Sequence, residues 1–144
     1  MDARDSQAAE NKQLIKQWFE DVWNQGRAES IDEMLADDCV VHGLTDAQGK
    51  AVRGPAEFRG FHTQFREAFP DITVTVEDTI AEGDLVVARC SVRGQHAGHS
   101  LGIAATQSPV EFTGIAIVRV KDGKLVEAWN NFDFMTMYKQ VGMI

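Results

Sequence analysis

Apolar positions along this chain recur first at helical spacing and later in strand-like runs. From Glu10 to Asn24 the residues Leu14, Ile15, Trp18, Phe19 and Val22 recur every three or four positions, which predicts a helix closed by Asn24-Gln25-Gly26. Ser30 suits the N-cap of a short second helix from Ile31 to Leu35, with Glu33 at the capping-box position. Cys39 to Gly43 reads as a short strand, followed by a turn region reaching about Arg53. Gly54-Pro55 then opens a third helix, with proline in the first turn where its missing N–H costs least. Phe58, Phe61, Phe65 and Phe69 form its apolar face, and Pro70 stops it.

Beyond Pro70 the pattern changes to strands. They run roughly over Ile72–Glu82, Asp84–His96, Pro109–Lys121 and Lys124–Phe132, with Glu82-Gly83-Asp84 and Lys121-Asp122-Gly123-Lys124 as hairpin turns. A short helix from Asp133 to Gln140 ends at Gly142. Helices first and a long-stranded antiparallel sheet afterwards indicate an α+β fold, a curved sheet with helices laid across it and a cone-shaped pocket between them. Residues 1–9 are expected to be a flexible polar lead-in and residues 10–144 a single domain.

The last hairpin carries the candidate chemistry. Side chains alternate along a strand, so Trp129, Asn131 and Asp133 share one face, and Ile115, Ile117 and Arg119 share a face of the partner strand. If both faces are the concave one, an aromatic ring, a guanidinium and a carboxylate converge on the pocket. His42, His96, Arg89 and Arg119 are candidate hydrogen-bond donors to a developing oxyanion. Trp18, Phe58, Phe61, Phe65, Ile117 and Trp129 would shape the cavity wall. Asp133 also suits the N-cap of the last helix, and Arg89 and Arg119 suit cross-strand pairs with Glu111 or Glu127.

Composition narrows the partners. A net charge of -8 argues against nucleic acid, which needs a basic stripe, and favours a hydrophobic small molecule. No run of apolar residues is long enough for a membrane span, and the N-terminus lacks a signal-peptide core, so a cytoplasmic protein is expected. Cys39 and Cys90 sit in apolar runs and read as buried free thiols rather than a disulfide. No metal-ligand spacing, dinucleotide fingerprint or phosphate loop is present, so neither metal nor cofactor is expected.

Several segments together resemble the SnoaL-like polyketide cyclase family of the NTF2-like, cone-shaped α+β superfamily. They are Val22-Trp-Asn-Gln-Gly26, Leu35-Ala-Asp-Asp-Cys-Val-Val-His42, Phe65-Arg-Glu-Ala-Phe-Pro-Asp71 and Ala81-Glu-Gly-Asp-Leu-Val-Val-Ala-Arg89. Gly94-Gln-His-Ala-Gly98 and Val120 to Asp133 continue the match. The resemblance implies an internal pocket, a homodimer or homotetramer, and a cofactor-free intramolecular aldol closure of a polyketide ester. An aspartate at the end of the last strand is the general acid/base of such cyclases, and Asp133 matches it. Those cyclases carry a histidine fourteen residues earlier, where this chain has Arg119. A guanidinium beside Asp133 would hold its carboxylate ionised. The alternatives on the same fold are a binding protein for a lipophilic molecule and a hydroxylase or hydrolase.

Overall fold

A computed structural model describes residues 3–45 and 48–144, with side chains from residue 5 onward. Helix α1 (Ala3–Trp18) starts within the expected lead-in and continues into a wider π-helical turn, Phe19–Asn24. That turn buries Phe19, Val22 and Trp23. Asn24 ties its end to the sheet as a strand would: Nδ2 donates to the Val74 carbonyl at 2.9 Å, and the Val74 N–H donates back to Oδ1 at 2.6 Å. Helix α2 (Ala28–Met34) begins before the expected Ser30 cap; Ser30 lies inside it, buried, and Arg27 precedes the helix without a side-chain cap.

Strand β1 (Leu35–Thr45) is longer than the expected Cys39–Gly43. A short strand β2 (Ala51–Arg53) forms within the expected turn region, of which residues 46 and 47 lie outside the described residues. Helix α3 (Gly54–Ala68) carries the phenylalanine face and has proline in its first turn. Strands β3 (Thr73–Glu82), β4 (Leu85–Gln95), β5 (Pro109–Lys121) and β6 (Lys124–Phe132) follow, then helix α4 (Phe134–Gln140). Asp122 and Gly123 at the β5–β6 turn both have positive φ, 52° and 76°, as the Asp-Gly pair demands. No helix among the described residues is long and apolar enough to cross a membrane.

The strands form one open, curved sheet in the order β2-β1-β6-β5-β4-β3. All neighbours are antiparallel except β1 and β6, which run parallel and correct the expectation of a wholly antiparallel sheet. A parallel neighbour needs a long return path, and everything from β2 to β5 separates the two. The helices meet one another over one face of the sheet through aromatic rings: Phe58 meets Trp18 at 5.1 Å edge-on, and Trp23 meets Phe65 at 5.7 Å. Phe134 of α4 reaches the sheet, 5.9 Å from the Phe112 ring on β5.

His62 on α3 is buried beside Trp23, its Nε2–H donating to the Val22 carbonyl at 2.6 Å. Burial holds its pKa below the ordinary histidine value, so it is a neutral core group. Cys39 and Cys90 are buried free thiols, and burial pushes each up to about 12, which keeps them protonated at neutral pH.

The β1–β6 seam closes tightly at Gly43. Its φ of +86° lies in the left-handed region, and a Cβ there would sit 1.9 Å from the Asn130 carbonyl oxygen. Gly43→Ala therefore has to strain φ and push β6 away from β1 together. The expected loss is about 2–4 kcal/mol of unfolding free energy, measured by denaturant titration with the m-value unchanged.

Candidate active site

Alternation decides which side chains face the helices. On β6 the inner positions are Leu125, Ala128, Asn130 and Phe132; on β5 they are Phe112, Ala116 and Val118. With Trp18, Phe58, Phe61 and Phe65 from the helices they enclose an almost wholly apolar cavity of about 60 Å³, room for a few water molecules. Asn130 supplies its only amide, and no lining side chain among the described residues is titratable. A wider cavity of about 440 Å³ shares Leu44, Phe61, Phe65 and Phe134 with it and adds Gly43, Leu101, Tyr138 and Met143 at the rim. The two lie on either side of those shared side chains, an inner chamber and a wider outer space that serves below as its mouth.

The expected cluster does assemble, but on the other side of the sheet. Ile117 lies opposite Trp129 and Ile115 opposite Asn131, so the shared face is as anticipated. That face points away from the helices. Arg119 reaches both carboxylate oxygens of Asp84, at 2.8 and 2.9 Å, and its cation lies 6.0 Å from the Trp129 ring centroid. Trp129 stacks on His42 at 5.6 Å and 17°, and His42 Nε2 meets Glu127 at 2.8 Å. Arg89 pairs with Asp78 across β3 and β4. Hence Arg89, Arg119, His42, Ile117 and Trp129 form an outer ladder of ion pairs and stacked rings, and the expected convergence of these groups on the concave surface is corrected. The cause is that β5 is apolar on both faces around Ile115-Ala116-Ile117-Val118, and a shift of one residue exchanges inside for outside.

Asp133 is neither buried nor beside Arg119. Its carboxylate is exposed and caps α4, accepting from the Thr136 hydroxyl at 2.6 Å and the Thr136 N–H at 3.1 Å. These two hydrogen bonds, the hydroxyl one first, hold its pKa below the ordinary aspartate value. The residues on either side, Phe132 and Phe134, both line the inner chamber, so Asp133 sits at its edge.

His96 is fully buried at the base of the segment 96–108, which has little regular structure. The Thr106 N–H donates to His96 Nδ1 at 3.2 Å, with the Thr106 hydroxyl at 2.9 Å, which places the neutral ring's proton on Nε2. Among the described residues that Nε2–H has no hydrogen-bond partner, and the Phe69 ring lies 5.7 Å away. The segment leans on α3: the N–H groups of Ala97 and Gly98 donate to the Ala68 carbonyl, and Gln64 Nε2 donates to the Ser100 carbonyl at 2.9 Å. Leu101 is thereby held at the mouth.

The polar group that does face the chamber, Asn130, was passed over in the sequence. Its signal was an amide at the same parity as Ala128 and Phe132 in an otherwise apolar run. Among the described residues no group of three His, Cys, Asp or Glu side chains is placed to hold a metal ion.

Comparisons with known proteins fit this architecture. Residues 13–141 match the family model for SnoaL-like polyketide cyclases. Two aklanonic acid methyl ester cyclases, DauD of Streptomyces sp. (strain C5) and DnrD of Streptomyces peucetius, are each 25% identical over 130 residues. The matches span 90% of this chain and 80% and 88% of theirs. IdmH of Streptomyces antibioticus, a proposed polyketide cyclase, superposes with a TM-score of 0.79 at 35% identity, over 92% of this chain and 98% of its own. A SnoaL-like protein of Jannaschia sp. CCS1 superposes with a TM-score of 0.85 over 100% of this chain and 99% of its own, and at 21% identity it speaks for the fold alone.

The capping role of Asp133 has a pH signature. A carboxylate whose folded pKa lies below its unfolded value stabilises the fold above the unfolded pKa near ~3.9, and that support is lost as pH falls through the lower folded value. Asp133→Ala is expected to unfold at a lower temperature than the wild type at neutral pH. Thermal scans should show the gap narrowing as the pH drops through that window.

Proposed function

The chain belongs to the SnoaL-like polyketide cyclase family, and from that premise we propose that it closes a ring in a hydrophobic, enolisable polyketide-type ester or ketone by intramolecular aldol addition. The observation that carries this reading is the chamber of aromatic and aliphatic side chains joined to a wider mouth. Such a space gathers a flexible apolar chain, excludes water and brings its two ends together. The two reacting carbons already share one chain, so confinement adds only the part of the roughly 7–11 kcal/mol orientation effect that the tether leaves unpaid, by holding a near-attack geometry. The inner chamber is smaller than such a substrate, so binding swings Phe61, Phe65 and Phe134, the rings shared between chamber and mouth.

The bond changes need no cofactor. The enol carbon attacks the ketone carbon, the carbonyl electron pair moves onto its oxygen, and the proton released from the enol oxygen ends on that alkoxide. In this reading the substrate enters as its own enol and the protein supplies confinement. A second reading gives Asp133 the proton transfers. It is favoured by the hydrogen bonds that keep its carboxylate ionised and by its place between two chamber-lining phenylalanines. The same bonds weaken it as a base, so it would need a carbon acid flanked by two carbonyls.

Incubation in D2O with aklanonic acid methyl ester and simpler β-keto esters, followed by mass spectrometry and NMR, separates these. Wild type is expected to close the ring at least about a hundredfold faster than buffer. Unchanged closure by Asp133→Asn supports confinement, and a loss of about 10²–10⁴-fold assigns the proton transfers to Asp133. Esters that bind but close no faster than in buffer would make the protein a binder of lipophilic carbonyl compounds.

A further inference from the structure

We infer that Asn130 selects substrates that present a hydroxyl donor, an enol or phenol O–H, to the stretch of chamber wall beside Gly43. The inference rests on the reading of the chamber as the substrate site. Among the described residues Asn130 is the only one lining the chamber whose side chain carries an amide, and its orientation is settled by one contact: Nδ2 donates to the His42 carbonyl at 3.1 Å. Turning the amide over would set two oxygens against each other, so Oδ1 is the end left free. Among the described residues Oδ1 has no hydrogen-bond partner. An acceptor in an apolar wall rewards a ligand that donates to it and penalises one that buries it dry.

The wall around Asn130 leaves room for such a ligand. Ala116 stands directly opposite on β5, and Ala128 precedes it on the same face of β6. Among the described residues these are the only alanines in a lining otherwise made of valine and larger side chains, and they form a notch at the amide. Asn130 is held from behind as well. Gly43 lets the β1 backbone approach the Asn130 carbonyl oxygen closely, so the strand that orients the amide also fixes its backbone.

The consequence is a preference of substrate form. A β-dicarbonyl chain can enter as diketone or as enol, and only the enol carries an O–H for Oδ1. An amide has no charge to gain or lose at ordinary pH, so this preference does not change with pH on the protein side. It acts by orientation: the enol oxygen is pinned at the notch, which limits the positions the enol carbon can take.

The test uses two probes of matched shape, 2-naphthol with a hydroxyl donor and 2-methoxynaphthalene without one, titrated by calorimetry or fluorescence. Wild type is expected to bind 2-naphthol about tenfold more tightly than the ether, the yield of one added hydrogen bond. Asn130→Ala, checked by its thermal unfolding, should keep the affinity for the ether and lose the difference between the two. Equal binding of both probes by wild type overturns the role of Asn130, whatever the variant's folding. A tenfold preference that survives in Asn130→Ala overturns it too. Failure of either probe to bind, or failure of both to be displaced by an aklanonic-type ester, overturns the chamber as the substrate site and this inference with it.

Discussion

The packing of one aromatic helix face against one side of the sheet is the contact on which the rest of this molecule depends. Phe58, Phe61 and Phe65 of α3, with Trp18 and Trp23, need a large apolar surface. Each such ring is worth several kcal/mol when buried, far more than any exposed ion pair on the opposite side. Once those rings occupy one face, alternation assigns every strand position to inside or outside. Asn130 goes in with Ala128 and Phe132; Trp129 and Asn131 go out, and with them Arg119 on the neighbouring strand.

The outside then organises its charges without help from the core. Arg119 with Asp84, Arg89 with Asp78 and His42 with Glu127 are half-exposed pairs, and stacking of His42 on Trp129 covers part of the ring. His42 works in both layers. Its side chain joins the outer ladder while its carbonyl accepts the Asn130 amide from the inner wall. The parallel β1–β6 seam is therefore where the two faces of the sheet communicate, and Gly43 is the residue that lets the strands come close enough.

Much of the architecture was legible in the sequence. The α3 phenylalanine spacing, the Asp122-Gly123 turn and the order of β3 to β6 follow from periodicity and positive-φ chemistry, which act locally. The α1 start was not, because its exposed first turns carry no apolar periodicity to read, and β2 was not, because it exists by pairing with β1. The inner face of β5 and β6 was also beyond reach. Around Ile115-Ala116-Ile117-Val118 both faces are apolar, so hydrophobicity does not vote, and the choice falls to helix packing. Charged and aromatic side chains drew attention to the outer set, while Ala116, Ala128 and Asn130 offered no conspicuous chemistry. In the sequence Asp133 fitted both a helix cap and a chamber residue. Its hydrogen bonds to Thr136 are those of a cap, and their strength comes from a helix terminus that needed an acceptor.

A chamber of this composition sets limits on the chemistry it can favour. Bringing a guanidinium and a carboxylate inside would cost several kcal/mol per ion in desolvation, to be recovered only through close pairing. Leaving them outside keeps the interior apolar and its walls free to move around a ligand. The cost falls on catalysis, because no lining group can accept a proton outright. On the confinement reading what remains is the substrate's own acidity, the geometry forced on it, and one neutral acceptor at a notch between alanines. For the proposed ring closure of a chain of adjacent ketones, the wall's contribution is then the near-attack geometry it holds and the enol form it favours. An amide can accept from that enol O–H while staying neutral, whereas a carboxylate in the same place would bring a charge into a wall built to exclude one.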